Sequence, residues 1–316
     1  MSKFKALLLT QGMHGMISQV EGLAKALDLS YKHQTVELKK IWEYVPPKFT
    51  PITLGVLKNQ FIFSSKVIIS CGRKSVIPSL ALKKKYKDRV FNIHIQDPKV
   101  PITKFDLIVC PEHDNLQGEN VIKTVGAVHY LTNSEIQKNR EYINVEKGKK
   151  KIVSFILGGP NKYYNFSDEQ INFIFNKIKV VFTPQKYRII VIPSYRTPER
   201  IIKKAFNTFS DNHIVFKEVD KKAYLCALSL ADYIVVSCDS TSMISEAAIT
   251  GKPIYVAQMK SQGNNYRFEN FYSQFKKLNI IRDLEDSVDL WSYNKLDEVN
   301  RISSVIKEKI KKNVSN

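Results

Sequence analysis

The residues Ala231–Pro253 read ADYIVVSCDSTSMISEAAITGKP, and this stretch decides the fold. Its apolar run ends at Ser237 and is typical of a strand that is buried in a parallel sheet. The polar turn Cys238–Ser240 follows, and it can cap a short helix that Gly251 ends. A buried strand, a polar turn and a helix in this order predict an α/β domain whose ligand-binding edge lies at the turn.

The same alternation of strand and helix extends on both sides of that stretch. Short β-rich runs are separated by segments in which apolar residues recur with helical spacing. The predicted strands are Lys151–Leu157, Tyr187–Ile192, His213–Lys217, Asp232–Ser237 and Pro253–Ala257. The predicted helices lie near Ser167–Val180, Pro198–Phe209, Lys221–Ala231 and Thr241–Thr250. This pattern predicts a doubly wound, Rossmann-like domain over residues 151–285.

The first half of the chain, residues 1–145, predicts a second domain of the same class. Its predicted strands are Phe4–Leu9, Val67–Ser70, Val90–Ile95 and Leu107–Cys110, with helices from Met16 to Leu27 and from Ser75 to Tyr86. The polar run Glu146–Lys151 separates the two halves, and we place the domain boundary there. In the tail, residues 286–316, apolar residues recur with helical spacing over Leu296–Lys311. We expect this helix to cross back to the first domain.

The composition limits the classes of function. The 316 residues carry a net charge of +19, from 49 Lys and Arg against 30 Asp and Glu. A basic surface of that size attracts nucleic acid, anionic lipid headgroups or phosphorylated ligands, although a lysine-rich composition is also typical of an AT-rich genome. The cationic residues form no stripe with interleaved aromatic residues and no nucleic-acid motif is present, so nucleic-acid binding is not favoured.

Targeting signals and cysteines favour a cytoplasmic protein without a transmembrane segment. No apolar run reaches the roughly 18 residues that a membrane span needs. The N-terminus lacks the pattern of a secretory signal, because its apolar run covers only Ala6–Leu9 and leads into a glycine turn. The 4 cysteines share no C-x-x-C spacing, which disfavours structural zinc and a disulfide framework and fits a reducing compartment.

The turn Gly158–Asn161 follows the first strand of the second domain and is a candidate phosphate site. The backbone N–H groups of Gly158 and Gly159, with Asn161 beside them, are placed to face a phosphate there. The alternative is a tight turn that only needs glycine. Neither half has the G-x-G-x-x-G spacing of a dinucleotide site, so an NAD-type cofactor is disfavoured.

The helix that follows Ser237 carries the second part of this candidate site. Asp239, Ser242 and Glu246 are spaced to share one helical face, which opens toward the strand ends. Ser240 is a candidate ligand contact, as is Thr241, and capping of the helix is the alternative role of both. Glu246 lies in a short, alanine-rich helix between two buried strands, so it needs a polar partner or solvent.

These motifs resemble those of a known family. The strand, the Ser-rich turn, the Glu-bearing helix and the Gly-x-Pro that follows are similar to the nucleotide-sugar site of GT-B glycosyltransferases, above all of enzymes that transfer a sugar from a UDP-sugar to a lipid-linked acceptor. In those enzymes the turn faces the diphosphate and the Glu binds the ribose hydroxyls. Motifs of the first half resemble the family named for the plant mitochondrial fission factor "elongated mitochondria", and the resemblance covers essentially the whole chain. They are Cys71–Ser75 (CGRKS), Ile93–Lys99 (IHIQDPK), Phe105–Asp114 (FDLIVCPEHD) and Gly126–His129 (GAVH).

The resemblance implies a GT-B-like fold, in which two Rossmann-type domains face a cleft. The resemblance does not decide the activity, and our first hypothesis is metal-independent sugar transfer from a nucleotide-sugar, most readily UDP-linked, which would be a co-substrate with no further cofactor. The implied donor-binding residues are Gly158, Gly159, Asn161, Ser240, Thr241 and Glu246. The acceptor would be lipid-linked or lie at a membrane surface, with the enzyme peripheral on the inner face. The plant member implies an alternative, a non-catalytic adaptor that recruits a dynamin-like GTPase or another protein partner.

Polar residues at the strand ends of the first domain are the acceptor-side candidates. Contacts to an acceptor or anion are predicted for Gly12, Gly15, Arg73, Lys74, Gln96 and His113. A group that takes the acceptor proton is predicted among Asp97, Glu112 and His14. The first turn of the family usually reads G-x-P-G-H, whereas here His14 precedes the second glycine. Solvated or capped turns are the alternative for these positions, and a cluster with one His does not favour a metal.

The segment Ile41–Phe63 (IWEYVPPKFTPITLGVLKNQFIF) is apolar and aromatic, is broken by prolines and is flanked by lysines. An exposed apolar patch with a basic rim would suit docking on an anionic membrane surface, together with Arg73 and Lys74. The alternative is an ordinary packed loop and helix that cover the sheet.

Overall fold

The strand-like runs of the first half form one parallel sheet in the computed structural model, which describes residues 5–59, 63–145 and 148–314 of the chain. The strands are β1 (Lys5–Thr10), β2 (Ser30–Thr35), β3 (Val67–Cys71), β4 (Phe91–Ile95), β5 (Leu107–Pro111) and β6 (Val121–Thr124). Their order is β2-β1-β3-β4-β5-β6, and every neighbouring pair is parallel. All residues of β3, β4 and β5 are buried, as expected for a sheet that is covered on both faces.

Helices cover the two faces of this sheet. They are α1 (His14–Ala26), α2 (Lys40–Tyr44) and α3 (Arg73–Tyr86). One apolar cluster joins α1 to the sheet through Val20 and Leu23, and the other joins α3 through Ile77 and Leu80. Gly72, at the start of α3, has φ +88°, and a Cβ there would lie 2.5 Å from the sulfur of Met16. Glycine is favoured here by the positive φ, which residues with a Cβ rarely adopt, and its missing side chain leaves room for the end of Met16.

The second half forms another parallel sheet. Its strands are β7 (Lys151–Leu157), β8 (Tyr187–Pro193), β9 (Ile214–Val215), β10 (Tyr233–Ser237), β11 (Ile254–Ala257) and β12 (Ile281–Asp283). Their order is β12-β11-β10-β7-β8-β9, and every neighbouring pair is parallel. The predicted strands are all present, although β9 is shorter than predicted. This is the doubly wound order in which the chain starts in the middle and extends to both edges.

The helices of the second half are α4 (Asn133–Lys138), α5 (Asp168–Val181), α6 (Glu199–Phe209), α7 (Lys221–Leu230), α8 (Thr241–Ala248) and α9 (Tyr266–Lys277). Side chains cap several of them. Ser167 accepts a hydrogen bond from the Gln170 amide at the start of α5, and Asp220 accepts two from the first turn of α7. These caps satisfy amides that have no partner within the helix, which explains where the helices begin.

The chain divides into two units, Met1–Tyr130 with Asp297–Asn316, and Leu131–Leu296. The last helix, α10 (Glu298–Val314), contributes Ile302, Ile306 and Ile310 to the apolar cluster that also contains α1. Glu298 accepts a hydrogen bond from the Val125 amide at 2.7 Å. These contacts place α10 in the first unit. The described residues include no helix that is long and apolar enough to cross a membrane.

The unit boundaries differ from those expected. Residues 131–145 were assigned to the first domain, but α4 packs on α7, and the Arg140 guanidinium donates to the carbonyl of Ser229 at 3.0 Å. The tail also divides, because the Leu296 amide donates to the Ala248 carbonyl at 3.2 Å and so belongs to the second unit. Two residues of the predicted linker, Glu146 and Lys147, lie outside the described residues.

Candidate functional site

The candidate site lies where the second sheet changes direction. Strands β7 and β10 are neighbours, and the chain continues from them toward opposite edges of the sheet. Loops at such a point leave the sheet on opposite faces and open a crevice at the carboxyl ends of the strands. The turn after β7 and the turn after β10 meet here.

The two glycines after β7 approach the turn after β10 very closely. A Cβ on Gly158 would lie 2.2 Å from a carboxylate oxygen of Asp239, and one on Gly159 would lie 1.9 Å from the carbonyl oxygen of Arg196. The Gly158 amide donates to Ser237 Oγ at 2.8 Å, and the Gly159 amide donates to Asp239 Oδ2 at 3.2 Å. Both amides thus bond within the protein in this structure, and the missing Cβ atoms allow the two turns to pack closely. A contact of these glycines with a phosphate stays a prediction.

Asn161 braces the same turn. Its Nδ2 donates to the Asp239 carbonyl at 3.0 Å, while its Oδ1 accepts from the amides of Tyr163 and Tyr164 at 2.7 and 3.0 Å. Both ends of the side-chain amide are thus occupied by protein groups. Asn161 therefore holds the two turns together in this structure, and its direct contact with a ligand stays a prediction.

Asp239 is the buried centre of this network. Its carboxylate accepts from Ser237 Oγ at 2.6 Å and from an Arg196 guanidinium nitrogen at 2.6 Å, and its residue is only 3% exposed. Burial raises the pKa of Asp239, and the positive charge of Arg196 opposes that rise. Removal of Arg196 would leave this carboxyl group buried without its cationic partner.

Arg196 is a functional candidate that the sequence argument missed. Its guanidinium also donates to the Gly159 carbonyl at 2.7 Å, and 34% of its side chain is exposed. Thr197 holds the loop behind it by donating to the carbonyls of Leu157 and Gly158, both at 2.8 Å. The sequence did contain a signal, because Arg196 follows the end of β8 on the same edge of the sheet.

Helix α8 begins at this network. Ser240 caps it by accepting from the Met243 amide at 3.3 Å, so the capping role of Ser240 is present in the structure. Thr241 is the first helical residue and is partly exposed. The N-terminus of α8, which carries a partial positive charge, thus lies directly after Asp239.

Glu246 lies in the second turn of α8 and is half-buried. Its Oε2 accepts a hydrogen bond from the Tyr224 hydroxyl, on α7, at 2.8 Å. Tyr224 is the polar partner that a carboxylate in this position requires, and it fixes the orientation of the carboxylate. Tyr224 itself was not singled out from the sequence, because nothing in its local pattern distinguishes it from a packing residue.

The glycine turn of the first unit is arranged differently from the expectation. Gly12 has φ +87° and donates its amide to Thr10 Oγ1 at 3.1 Å. Helix α1 already begins at His14, so His14 and Gly15 are helical residues and not parts of the loop. His14 is exposed and Gly15 is partly exposed.

The end of β4 is held by local contacts. Gln96 has φ +83°, and its side-chain Nε2 donates to Gln19 Oε1 at 3.3 Å. Asp97 accepts from the Lys99 amide at 2.8 Å and pairs with Lys99 Nζ at 2.5 Å. Asp97 therefore lies in a satisfied turn in this structure, which is the alternative that the sequence left open.

The turn after β5 does not bring its polar residues to one point. Glu112 is exposed, whereas His113 is buried, with its Nε2 3.8 Å from Asp114 Oδ1. Across residues 5–59, 63–145 and 148–314, no group of three or more His, Cys, Asp or Glu side chains is arranged to hold a metal ion.

Arg73 and Lys74 face their own chain. The Arg73 guanidinium donates to the carbonyls of Val45, at 3.1 Å, and of Glu43. Lys74 Nζ pairs with the Glu43 carboxylate at 2.6 Å. Both cations thus contact the loop around α2 in this structure, and their contact with an anionic acceptor stays a prediction.

Three solved structures, of a protein with UDP, of an epimerase with UDP-GlcNAc and of a glycotransferase, share this fold. The chain superposes on Staphylococcus aureus MnaA, solved with UDP, with a TM-score of 0.55 at 13% identity, over 98% of this chain and 90% of that one. For the UDP-GlcNAc 2-epimerase of Neisseria meningitidis the TM-score is 0.53 at 11% identity, and the match covers 98% of this chain and 99% of the epimerase chain. For a glycotransferase of kitacinnamycin the TM-score is 0.52 at 10% identity, and the match covers 99% of this chain and 95% of the glycotransferase chain. The two Rossmann-type units therefore have the GT-B fold, as predicted.

Sequence comparison identifies the family. The family model for mitochondrial fission ELM1 matches residues 14–310, so the chain belongs to this family. It is 24% identical to the mitochondrial fission protein ELM1 of Arabidopsis thaliana, over 77% of this chain and 64% of that protein. It thus spans less than two thirds of the plant protein. An uncharacterized protein of Rickettsia prowazekii is also 24% identical, over 93% of this chain and 96% of that protein.

Proposed function

We propose that the second unit binds a nucleotide-sugar, most readily a UDP-sugar, and that the protein transfers the sugar without a metal ion. The observation that carries this proposal is the position of Arg196. Its guanidinium is fixed by Asp239 and Gly159 at the carboxyl edge of the sheet, yet 34% of the side chain remains exposed. A held, partly exposed cation beside a helix N-terminus is suited to a diphosphate.

The two ends of the nucleotide would use one helix. The diphosphate would contact Arg196 and the amides at Thr241, where the partial charge of α8 is positive. The ribose would contact Glu246, because a carboxylate can accept from two neighbouring hydroxyl groups. The Tyr224 hydroxyl occupies one side of Glu246 Oε2 and presets its orientation. Positioning and stabilisation of the departing diphosphate would then supply the catalysis.

We propose that the first unit holds the acceptor, as a lipid-linked or membrane-surface molecule at the cytoplasmic face of the membrane. Glu112 and His14 are exposed and remain candidates for the group that takes the acceptor proton. Asp97 would first have to exchange its contact with Lys99 for one with the acceptor.

A thermal-shift screen against nucleoside diphosphates and nucleotide-sugars tests donor binding. A ligand that binds only the folded state raises the melting temperature by mass action. We expect UDP and UDP-sugars to raise it more than ADP, GDP or pyrophosphate at equal concentration. If none of these compounds raises the melting temperature at millimolar concentration, the proposal of donor binding is wrong.

The second candidate function is a non-catalytic adaptor for a protein partner. Two findings favour it: the amides of Gly158 and Gly159 are already bonded within the protein, and the Arabidopsis relative is named as a mitochondrial fission protein. An adaptor would tolerate loss of Glu246, whereas a transferase would not. Loss of function on substitution of Glu246, with the fold retained, therefore separates the two candidates.

A further inference from the structure

The segment around α2 displays large apolar side chains to solvent. Ile41 is 66% exposed, Tyr44 83% and Phe49 68%. Ile41 and Tyr44 are three residues apart on α2 and share one face, and Phe49 follows in the next turn of the loop. We call residues 40–49 the apolar tip. Monomeric proteins rarely group exposed large apolar side chains in this way without an interaction to serve.

The rest of the same segment is an ordinary part of the core. Val56 and Leu57 are buried in the apolar cluster on the α3 face, and Trp42, which lies within the tip itself, packs inward against that cluster. Backbone hydrogen bonds tie the base of the segment, from the Lys39 amide to the Val56 carbonyl at 2.9 Å. The base of Ile41–Phe63 covers the sheet, as expected for an ordinary packed loop. The apolar side chains at the tip are exposed, as expected for an apolar surface patch. Residues 60–62 of that segment lie outside the described residues.

The apolar tip is held in place from behind. Arg73 donates to the Glu43 and Val45 carbonyls, and Lys74 pairs with the Glu43 carboxylate. Thr50 Oγ1 donates to the Pro46 carbonyl at 3.1 Å. The three apolar side chains are therefore exposed on a loop that side-chain hydrogen bonds and an ion pair hold in place.

The rim of the apolar tip is cationic. Lys39, Lys40 and Lys48 are exposed, and Lys48 Nζ lies 4.6 Å from the centre of the Phe49 ring. The one carboxylate of the tip, on Glu43, is paired with Lys74. Aromatic rings beside exposed lysines are suited to a bilayer surface, where rings sit at the headgroup level and lysines meet anionic lipids.

We propose that the apolar tip docks the protein on an anionic membrane surface. Ile41, Tyr44 and Phe49 enter the headgroup region, while Lys40 and Lys48 contact anionic headgroups. Arg73 and Lys74 brace the tip from within the protein and do not contact lipid. This inference does not depend on nucleotide binding, because all of its residues lie in the first unit.

Vesicle co-sedimentation of the full chain tests the proposal. We expect binding to vesicles of phosphatidylcholine with phosphatidylglycerol at low salt, and weaker binding in 0.5 M salt or with phosphatidylcholine alone. Tyr44→Ser/Phe49→Ser should abolish most of the binding at every salt concentration. Lys40→Glu/Lys48→Glu should lower the partition coefficient by at least about five-fold for each lysine. All four changes are at exposed side chains, so the melting temperature should stay that of the wild type.

Two control variants match these changes in the second unit. Phe173→Ser/Val180→Ser removes side chains that are 65% and 70% exposed, and Lys179→Glu/Lys186→Glu changes the net charge by the same amount as the tip variant. Both controls should bind as the wild type does. Absence of binding at low salt, equal binding by the tip variants, or equal loss in the controls would overturn the proposal. Conversion of a wild-type dimer to a monomer by the tip variants, in sedimentation velocity, would overturn it in favour of a contact between copies.

Discussion

At the residue scale, the turn after β7 shows why particular residues occupy particular positions. There is no room for a side chain at Gly159, since a Cβ there would lie 1.9 Å from the backbone oxygen of Arg196. A backbone atom cannot move aside as the end of a side chain can. The close contact of the two loops therefore depends on the missing Cβ.

We expect Gly159→Ala to lower the free energy of unfolding by about 1–3 kcal/mol, the usual cost of overpacking. Urea denaturation checks this. Gly55→Ala is the control, because a Cβ there would meet its nearest neighbour, Thr53 Oγ1, at an ordinary 3.5 Å. Equal stability of Gly159→Ala and the wild type would contradict the packing described for this turn.

Residues of the candidate site differ in how far the sequence could predict them. A polar partner for Glu246 was predictable, since a carboxylate in a short, alanine-rich helix between buried strands needs a polar partner or solvent, and the Tyr224 hydroxyl is that partner. A contact of Glu246 with a ligand stays a prediction. The partners of the Gly158 and Gly159 amides were not, because hydrogen bonds between distant turns depend on how the strands are ordered. Arg196 could have been named as a candidate from the sequence, because it follows the end of β8 at the same edge of the sheet.

At the scale of elements, most strands and helices with an apolar signal were predictable, and those without such a signal were not. β2 (SYKHQT) lies at an edge of its sheet with no buried residue, so it has no apolar alternation. β12 spans three residues, too few for any pattern. α9 was missed although its buried residues, Phe268, Phe271, Tyr272 and Phe275, follow helical spacing.

The α2 loop makes a prediction at this scale. Arg73→Ala removes the donor to two loop carbonyls, so amide hydrogen exchange over residues 40–50 should become faster by about five-fold or more, for a net contribution near 1 kcal/mol per hydrogen bond. Lys84→Ala, an exposed change on the same helix α3, is the control and should leave this exchange unchanged. Unchanged exchange in Arg73→Ala would mean that Arg73 does not brace the tip.

At the scale of the whole molecule, the first unit consists of two separate stretches of the chain, Met1–Tyr130 and Asp297–Asn316, and the second unit lies between them in the sequence. Ile306 of α10 is fully buried in the cluster that contains α1. The two-unit organisation was predictable from the repeated strand and helix pattern. The exact boundaries at Tyr130 and Leu296 were not, because they depend on which surface the polar segments beside them contact.

Ile306→Ala should destabilise the first unit by about 2–5 kcal/mol, the range for a large-to-small change in a core. Residue-resolved amide hydrogen exchange of this variant should show that the amides of β1 and β4 lose protection, whereas the amides of β7 keep it. Val305→Ala is the neighbouring control, since Val305 is 46% exposed. Equal loss of protection in β7 would contradict the assignment of α10 to the first unit.

The central claim is that the second unit binds a nucleotide through Glu246, and calorimetric titration with UDP tests it most directly. Glu246→Gln replaces one acceptor of the carboxylate with a donor and should weaken UDP binding by about ten-fold to a hundred-fold, or roughly 1.5–3 kcal/mol for a hydrogen bond to a charged group. Glu199→Gln, at an exposed position on α6, should bind UDP as the wild type does. Failure of the wild type to bind UDP or any other nucleoside diphosphate would contradict the claim, and equal binding by wild type and Glu246→Gln would show that Glu246 is not the ribose ligand.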